Sequence, residues 1–255
     1  MMRVIANSSL CAKYPDEVIS IAQNNIDKAI EWDLNYIPPT LSSVRKEGLA
    51  NCIIENGLKI RYHLPYSFVE IGHNDTNIRD FSLLVMRQYL DFIHSLQGAF
   101  AVIHIGYFEN CTLQDCLTNL QKTADYAKQL GITLCVENLL QGITTNIEYL
   151  FELLNVDNVC LCLDTGHANV VNQSNNNYIP LLLSVLDKVK HSHIYFSEDS
   201  NFNHIPFDKE TLDNSEIMIA LAESSCDWFS MELDNFEEQE KQKSILKPFF
   251  NLCAV

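Results

Sequence analysis

Short apolar runs alternate along the chain with longer segments of helical periodicity. Eight runs rich in β-branched and aromatic residues cover residues 3–6, 29–35, 58–64, 100–105, 132–138, 159–164, 189–195 and 228–233. Segments with apolar residues at helical spacing cover residues 16–26, 38–56, 77–96, 112–130, 147–154, 178–188, 212–224 and 237–250. Repeated strand-then-helix units without a break in composition favour a closed barrel over an open sheet. The pattern therefore predicts the α/β class, with residues 1–255 forming a single (β/α)8 barrel domain.

Polar side chains recur at the carboxyl ends of the predicted strands, at intervals of about one strand-helix repeat. The series comprises Glu31, His63, His104, Glu137, Asp164, His193 and Glu232. In a barrel of parallel strands these ends meet at one rim, which is the face where such enzymes hold their active sites. Because side chains alternate along a strand, Asp164 is expected to point to the barrel axis together with Cys162 and Cys160. After Asp164 the chain is expected to turn through Gly166 into a loop that carries His167.

Four residues of this series form a candidate metal site, and they are Glu137, Asp164, His193 and Glu232. Carboxylates that converge on one axis repel each other unless a cation neutralises them. A mostly oxygen ligand set suits Mn²⁺, Mg²⁺ or Co²⁺, with Zn²⁺ as an alternative. We therefore expect one divalent metal ion with open positions for the oxygens of a small, sugar-like substrate. His191, one layer below the rim, is expected to be a hydrogen-bonded core residue.

Charge and cysteine content narrow the classes of partner. The chain has 17 Lys and Arg against 33 Asp and Glu, a net charge of −16, which disfavours nucleic acids and anionic membrane surfaces. No run of 18 apolar residues occurs, and the N-terminal segment is expected to be a strand rather than a signal peptide. The nine cysteines are an odd number without a Cys-x-x-Cys pair. Reduced thiols in a cytoplasmic protein are the expectation.

Several short motifs carry a resemblance to a known family. They are Cys135-Val-Glu137-Asn138, Leu163-Asp164-Thr-Gly-His167, His191-Ser-His193, His204-Ile-Pro206 and Met231-Glu232-Leu233, with His63-Leu-Pro-Tyr66 and His104-Ile-Gly106 upstream. With these motifs in this order, the chain resembles the xylose isomerase-like barrel superfamily of sugar isomerases, sugar epimerases and endonuclease IV. The resemblance to ketose epimerases implies metal ligation by the four residues above and proton exchange by Glu137 and Glu232 through an enediolate. It implies substrate contact by His167, with His63, His104 and His204 as further candidates.

The sequence departs from the epimerase pattern at two positions. An arginine that epimerases place six residues after the seventh-strand histidine is Asp199 here, and a glycine usual after the His-x-Pro element is Phe207. The loops after the seventh and eighth strands are acidic and lack glycine, which disfavours a phosphorylated substrate. The main hypothesis is therefore an isomerase or epimerase of an unphosphorylated ketose, aldose or related hydroxy-carbonyl compound.

Three alternatives stay open. The same ligand set in related barrels supports a dehydratase of an inosose or dehydroshikimate type. The resemblance to endonuclease IV, a DNA repair nuclease, would make the four candidate metal ligands and the four histidines named as substrate contacts the ligands of a three-metal cluster. However, an acidic residue that this nuclease requires is Phe202 here. A non-catalytic binding module on the same barrel is the third, because fold does not fix function. Homodimers and homotetramers are common among the proteins that the chain resembles, and the sequence selects neither.

Overall fold

Eight parallel strands close into a barrel, as predicted, in a computed structural model that describes residues 3–9, 14–25, 27–35, 40–201 and 203–250. The strands are β1 (Val4–Ser8), β2 (Ala29–Asp33), β3 (Lys59–His63), β4 (Phe100–Ile103), β5 (Thr133–Glu137), β6 (Val159–Asp164), β7 (Val189–Ile194), β8 (Ser197–Glu198), β9 (His204–Ile205) and β10 (Trp228–Met231). The barrel order is β1-β10-β7-β6-β5-β4-β3-β2, while β8 and β9 form a separate antiparallel hairpin. The carboxyl ends of all eight barrel strands therefore lie on one face.

Helices surround this barrel. They are α1 (Pro15–Asn24), α2 (Ser43–Glu55), α3 (Thr76–Ser95), α4 (Leu113–Gln129), α5 (Ile147–Leu154), α6 (Thr165–Ser174), α7 (Tyr178–Leu183), α8 (Lys209–Asp213), α9 (Glu216–Glu223) and α10 (Phe236–Phe249). The helix predicted over residues 212–224 is divided, because Ser215 accepts a hydrogen bond from the Met218 amide and starts α9 anew. The predicted helix start at Pro38 lies outside the described residues, and none of the described helices is long and apolar enough to cross a bilayer.

The segment after β6 corrects one expectation. The sequence predicts a loop through Gly166, but α6 begins directly at Thr165. Asp164 caps this helix, since its Oδ1 accepts a hydrogen bond from the His167 amide at 2.7 Å. Gly166 is helical and makes room for Tyr195, whose Cε2 lies 1.9 Å from the place a Cβ would occupy. The Asp-Thr-Gly-His motif is therefore a helix start that packs against β7.

The apolar core has an outer and an inner part. The outer part lies between strands and helices and takes alternate strand residues such as Leu161 and Leu163. The inner part, within the barrel, consists of two clusters, one of Val102 with Cys135, Cys160 and Cys162 and one of Val4, Ala6, Ala29 and Trp228. This division confirms the predicted alternation along β6. The three inner cysteines carry free thiols and serve as small apolar residues.

A buried arginine closes the amino-terminal end of the barrel. Arg61 is 7% exposed, donates one hydrogen bond to the Lys190 carbonyl and another, at 2.9 Å, to Asp227 Oδ1. Its guanidinium carbon lies 4.0 Å from the ring centre of Phe100 and 4.9 Å from that of Trp228. Partners from this chain thus surround the arginine on several sides.

Candidate active site

Four elements deliver the predicted metal ligands to one point at the carboxyl end of the barrel. Glu137 and Asp164 end β5 and β6, His193 lies in β7, and Glu232 directly follows β10. One ligand atom from each of these residues lies within 4.8 Å of all the others. Atoms that are each about 2.1 Å from one ion are at most about 4.2 Å apart, so the group needs only small shifts to form a coordination shell.

Two atoms of this group have no hydrogen-bonding partner among the described residues. They are Oδ2 of Asp164 and Nδ1 of His193, and both side chains are completely buried. Nδ1 of His193 lies 2.9 Å from Oε2 of Glu232, but this approach lies outside the angular range of a hydrogen bond. Buried polar atoms without partners are costly. A divalent cation would satisfy both, so the residues present fit the predicted metal.

Glu31 orients the histidine of this group. Its two carboxylate oxygens each lie 3.0 Å from an Nε2 atom, one of His191 and one of His193. Burial would raise the pKa of Glu31, but the two histidines outweigh it and hold the pKa well below its usual range. Glu31 is thus a carboxylate that accepts from both Nε2–H groups, which directs Nδ1 of His193 to the metal ligands. His191 is hydrogen-bonded in the core, as expected.

The sequence places Glu31 in the strand-end series but assigns it no role at the site. The signal that identifies it is the pair of histidines two residues apart on β7, since alternation puts both imidazoles on the inner face. A buried carboxylate across the barrel is the natural partner of two such rings.

Glu137 is held by three of the predicted histidines. Its Oε2 lies 3.0 Å from Nε2 of His104 and 3.3 Å from Nε2 of His63, while Oε1 lies 3.3 Å from Nδ1 of His167. Burial opposes ionisation, but His104 and His193 outweigh it and lower the pKa of Glu137 well below its usual range. Burial would also lower the pKa of His63, yet the Glu137 carboxylate raises it to about 9. Glu137 is therefore an oriented carboxylate.

The hairpin of β8 and β9 adds an acid that sequence reasoning did not assign to the site. Oε1 of Glu198 lies 3.3 Å from Nε2 of His167 and 3.6 Å from Nε2 of His204, and it accepts a hydrogen bond from the Tyr195 hydroxyl at 3.0 Å. On its other side, His167 Nδ1 donates to the Asn138 carbonyl at 2.9 Å. Glu198 does not directly follow a barrel strand, so the regular spacing that identified the other acids does not predict it as a site residue.

The two departures from the epimerase pattern lie outside this cluster. Asp199 is exposed, and its Oδ1 accepts hydrogen bonds from the amides of Asn201 and Asn203 within the hairpin loop. Phe207 is 2% exposed and packs against Phe196 with ring centres 5.5 Å apart. Phe202, on which the comparison with endonuclease IV depends, lies outside the described residues.

A cavity of about 480 Å³ lies above the ligand group. Its floor is formed by Glu137, Glu232 and the four predicted substrate-contact histidines, and its outer wall by aromatic and aliphatic side chains that include Tyr66, Tyr107, Phe108, Leu139 and Leu140. Within the described part of the chain, no lysine or arginine lines this cavity. Six of the eight predicted site residues thus line one space that presents carboxylates, imidazoles and apolar surface, and the other two, Asp164 and His193, lie in the ligand group beneath it.

The family follows from a sequence match. A family model described as a xylose isomerase-like TIM barrel matches residues 27–248. The chain belongs to the xylose isomerase-like TIM barrel family. An uncharacterized protein of Methanocaldococcus jannaschii, MJ0008, is 23% identical over 227 residues, which are 89% of this chain and 90% of that protein.

Solved structures share the same fold over almost the whole chain. A D-tagatose 3-epimerase-like protein superposes with a TM-score of 0.75 at 20% identity and covers 98% of both chains. A D-psicose 3-epimerase, solved in the presence of D-fructose, superposes with a TM-score of 0.70 at 14% identity and covers 99% of this chain and 100% of its own. At these identities the likeness establishes the barrel.

Proposed function

We propose that this family member is a divalent-metal-dependent isomerase or epimerase of an uncharged ketose, aldose or related hydroxy-carbonyl compound. The observation that carries the proposal is the convergence of three carboxylates and one imidazole beneath the cavity, with two buried ligand atoms left without a hydrogen-bonding partner among the described residues. The names of the structural neighbours, which are sugar 3-epimerases, support the same reaction class.

Glu137, Asp164, His193 and Glu232 would hold the cation. When bound, a divalent ion polarises carbonyl and hydroxyl oxygens and offsets negative charge that develops on them. Asp164 and His193 are completely buried and do not line the cavity, so they would contact the cation but not the substrate. Glu137 and Glu232 also line the cavity itself, which lets them reach a substrate.

The two glutamates form the proposed acid/base pair. The Glu232 side chain is 14% exposed, and its contact with His193 is the only ion pair it makes within the described residues. It is therefore suited to remove a proton from the carbon beside the substrate carbonyl. Glu137 accepts a hydrogen bond from His63, whose raised pKa keeps its imidazole protonated, so the Glu137–His63 pair can deliver a proton. Delivery to the opposite face of the same carbon yields an epimer, and delivery to the adjacent carbon of the enediolate yields an isomer.

The residues that line the cavity indicate which substrate charges it can bind. A phosphate or carboxylate group requires a cationic partner or a cluster of backbone amides. The described cavity lining contains three glutamates besides Glu70 and neither lysine nor arginine, and each of its four histidines is already paired with a carboxylate of this chain. This composition opposes phosphorylated sugars, and it opposes the phosphate backbone of DNA for the same reason.

The test combines metal analysis with isotope exchange. The purified protein would be analysed for bound metal and then incubated with unphosphorylated ketoses and aldoses in deuterated water. Substrate-dependent deuterium incorporation that requires the metal is expected. Loss of water to give an unsaturated carbonyl product would identify a dehydratase instead, and cleavage of abasic DNA would identify a nuclease. Metal binding without exchange or any of these products would leave the binding module as the better interpretation.

A further inference from the structure

A second depression continues outward from the cavity. We call it the apolar groove; its apolar walls are Phe68, Ile78, Phe81 and Phe108, and its volume is about 440 Å³. These four side chains are 90%, 42%, 58% and 40% exposed, respectively. Phe68 and Phe108 line the groove and the cavity alike, so the two form one continuous space. A concentration of exposed aromatic surface of this kind marks a binding site more often than chance.

Phe68 stands at the junction in an unfavourable conformation. Its φ angle of 62° lies in the left-handed region that glycine adopts without cost. A phenylalanine here combines backbone strain with an almost fully exposed aromatic ring. Glycine would adopt this backbone conformation at a lower energy, so the presence of a phenylalanine side chain needs another explanation.

The groove offers no charge to a ligand. The carboxylate of Glu70, which borders both spaces, accepts hydrogen bonds from the amides of Gly72, Gly106 and Tyr107 at 2.8, 3.1 and 2.9 Å. Glu70 is 3% exposed and is thus occupied in holding the two loops together. His73 and Asn77 are the other polar residues of the described lining. The groove therefore suits an uncharged, apolar group.

We propose that the substrate carries an aryl or alkyl substituent, and that this substituent lies in the apolar groove while the hydroxy-carbonyl end reaches Glu137 and Glu232. The inference rests on the proposed function and adds the substrate class to it. A substrate is favoured over a second copy of the chain as occupant, because a protein seated on Phe68 and Phe108 would cover the way into the cavity.

The experiment compares each of the ketohexoses with its 6-O-benzyl ether in the deuterium-exchange assay. Burial of the phenyl ring against three phenylalanines is expected to raise kcat/KM by about tenfold or more. Phe81→Ala, which removes a wall of the groove but lies outside the cavity lining, should reduce that preference severalfold. Ile219→Ala on α9 is the control for the loss of an exposed apolar residue, since the Ile219 side chain is 44% exposed. This variant should retain the preference for the benzyl ether.

Different outcomes separate this inference from the proposed function. Exchange at equal rates for free and benzylated sugars would overturn the groove assignment and leave the proposed function standing. If no sugar exchanges, binding of the benzyl ethers to the metal-loaded protein is measured by calorimetry. Binding that is lost in Phe68→Gly, with thermal stability retained because glycine suits the backbone, would still support the groove. Absence of binding would overturn it, as would a dimer in light scattering that Phe81→Ala converts to monomer.

Discussion

The barrel encloses charged side chains at both ends, and the two ends are completed differently. At the amino-terminal end, Arg61 has a carbonyl, a carboxylate and two aromatic faces of this chain around it. At the carboxyl-terminal end, Asp164 Oδ2 and His193 Nδ1 have no hydrogen-bonding partner in the described ranges. The polar groups at the first end are thus satisfied within the chain, whereas the second end leaves two polar atoms to which the proposed cation would bind.

The largest effect is expected for Glu232→Gln at the carboxyl-terminal end. The amide cannot accept a proton, so substrate-dependent deuterium exchange should fall about a thousandfold. Thermal unfolding should change little because the contact with His193 is the only ion pair that Glu232 makes within the described residues. Glu237→Gln, an exposed substitution of the same kind in α10, is the matched control and should keep full exchange. Undiminished exchange in the Glu232 variant would remove this residue from the mechanism.

Asp164→Asn separates the two tasks of one side chain. Asparagine still caps α6 through an oxygen, but it replaces the ligand carboxylate, so affinity for Mn²⁺ or Co²⁺ should drop about a hundredfold in calorimetry. In chelator-treated protein, urea unfolding should show equal or higher stability, because fewer carboxylates then crowd one point. Asp164→Ala should additionally lose about 1 kcal/mol from the missing cap. A strongly destabilised Asn variant without metal would contradict this division.

Glu31→Gln tests whether metal binding depends on the orientation of His193 by Glu31. A glutamine can accept from one of the two imidazole N–H groups but presents N–H to the other, so the orientation of His193 should loosen. Metal affinity is expected to decrease about 10-fold to 100-fold, as measured by competition with a chromogenic chelator. Glu47→Gln on the exposed side of α2 should leave affinity unchanged. Equal affinities in both variants would refute the orienting role.

The smallest effect on function is expected at the opposite end. Arg61→Leu removes the hydrogen bonds to Lys190 and Asp227, and unfolding in urea should show a loss of about 1–3 kcal/mol. Metal affinity per folded molecule should not change. Arg45→Leu, which breaks an ion pair between side chains that are 45% and 78% exposed, should cost much less. A change in metal affinity with Arg61→Leu would show that the two ends are coupled.

Regular spacing explains what the sequence predicts well. Each barrel strand ends in register with its neighbours, so a polar residue at a strand end is assigned to the rim by its position in the repeat. Glu137, Asp164 and His193 follow this rule directly. The start of α6 does not, because the segment after Asp164 contains glycine, asparagine and β-branched residues with low helix propensity. Capping by Asp164 and packing against Tyr195 outweigh that propensity.

Loop residues around the cavity are harder to predict, for a physical reason. Phe68, Phe108 and Glu198 lie on connections whose course depends on long-range contacts rather than on a repeating pattern. Glu70, for example, joins the loops after β3 and β4 by accepting from amides up to 37 residues away. Sequence periodicity therefore predicts the residues at the floor of the cavity but not those of its walls or of the apolar groove.

In the proposed metal site, the Asp164 carboxylate would link the cation to the opening of helix α6. It uses Oδ1 to hold the amide of His167 and leaves Oδ2 for the cation. Local opening of the first turn of α6 must then also disturb a metal ligand. Slow amide hydrogen exchange in that turn would accordingly depend on whether the cation is bound. If the proposed site binds a cation, hydrogen exchange in the first turn of α6 will report its occupancy.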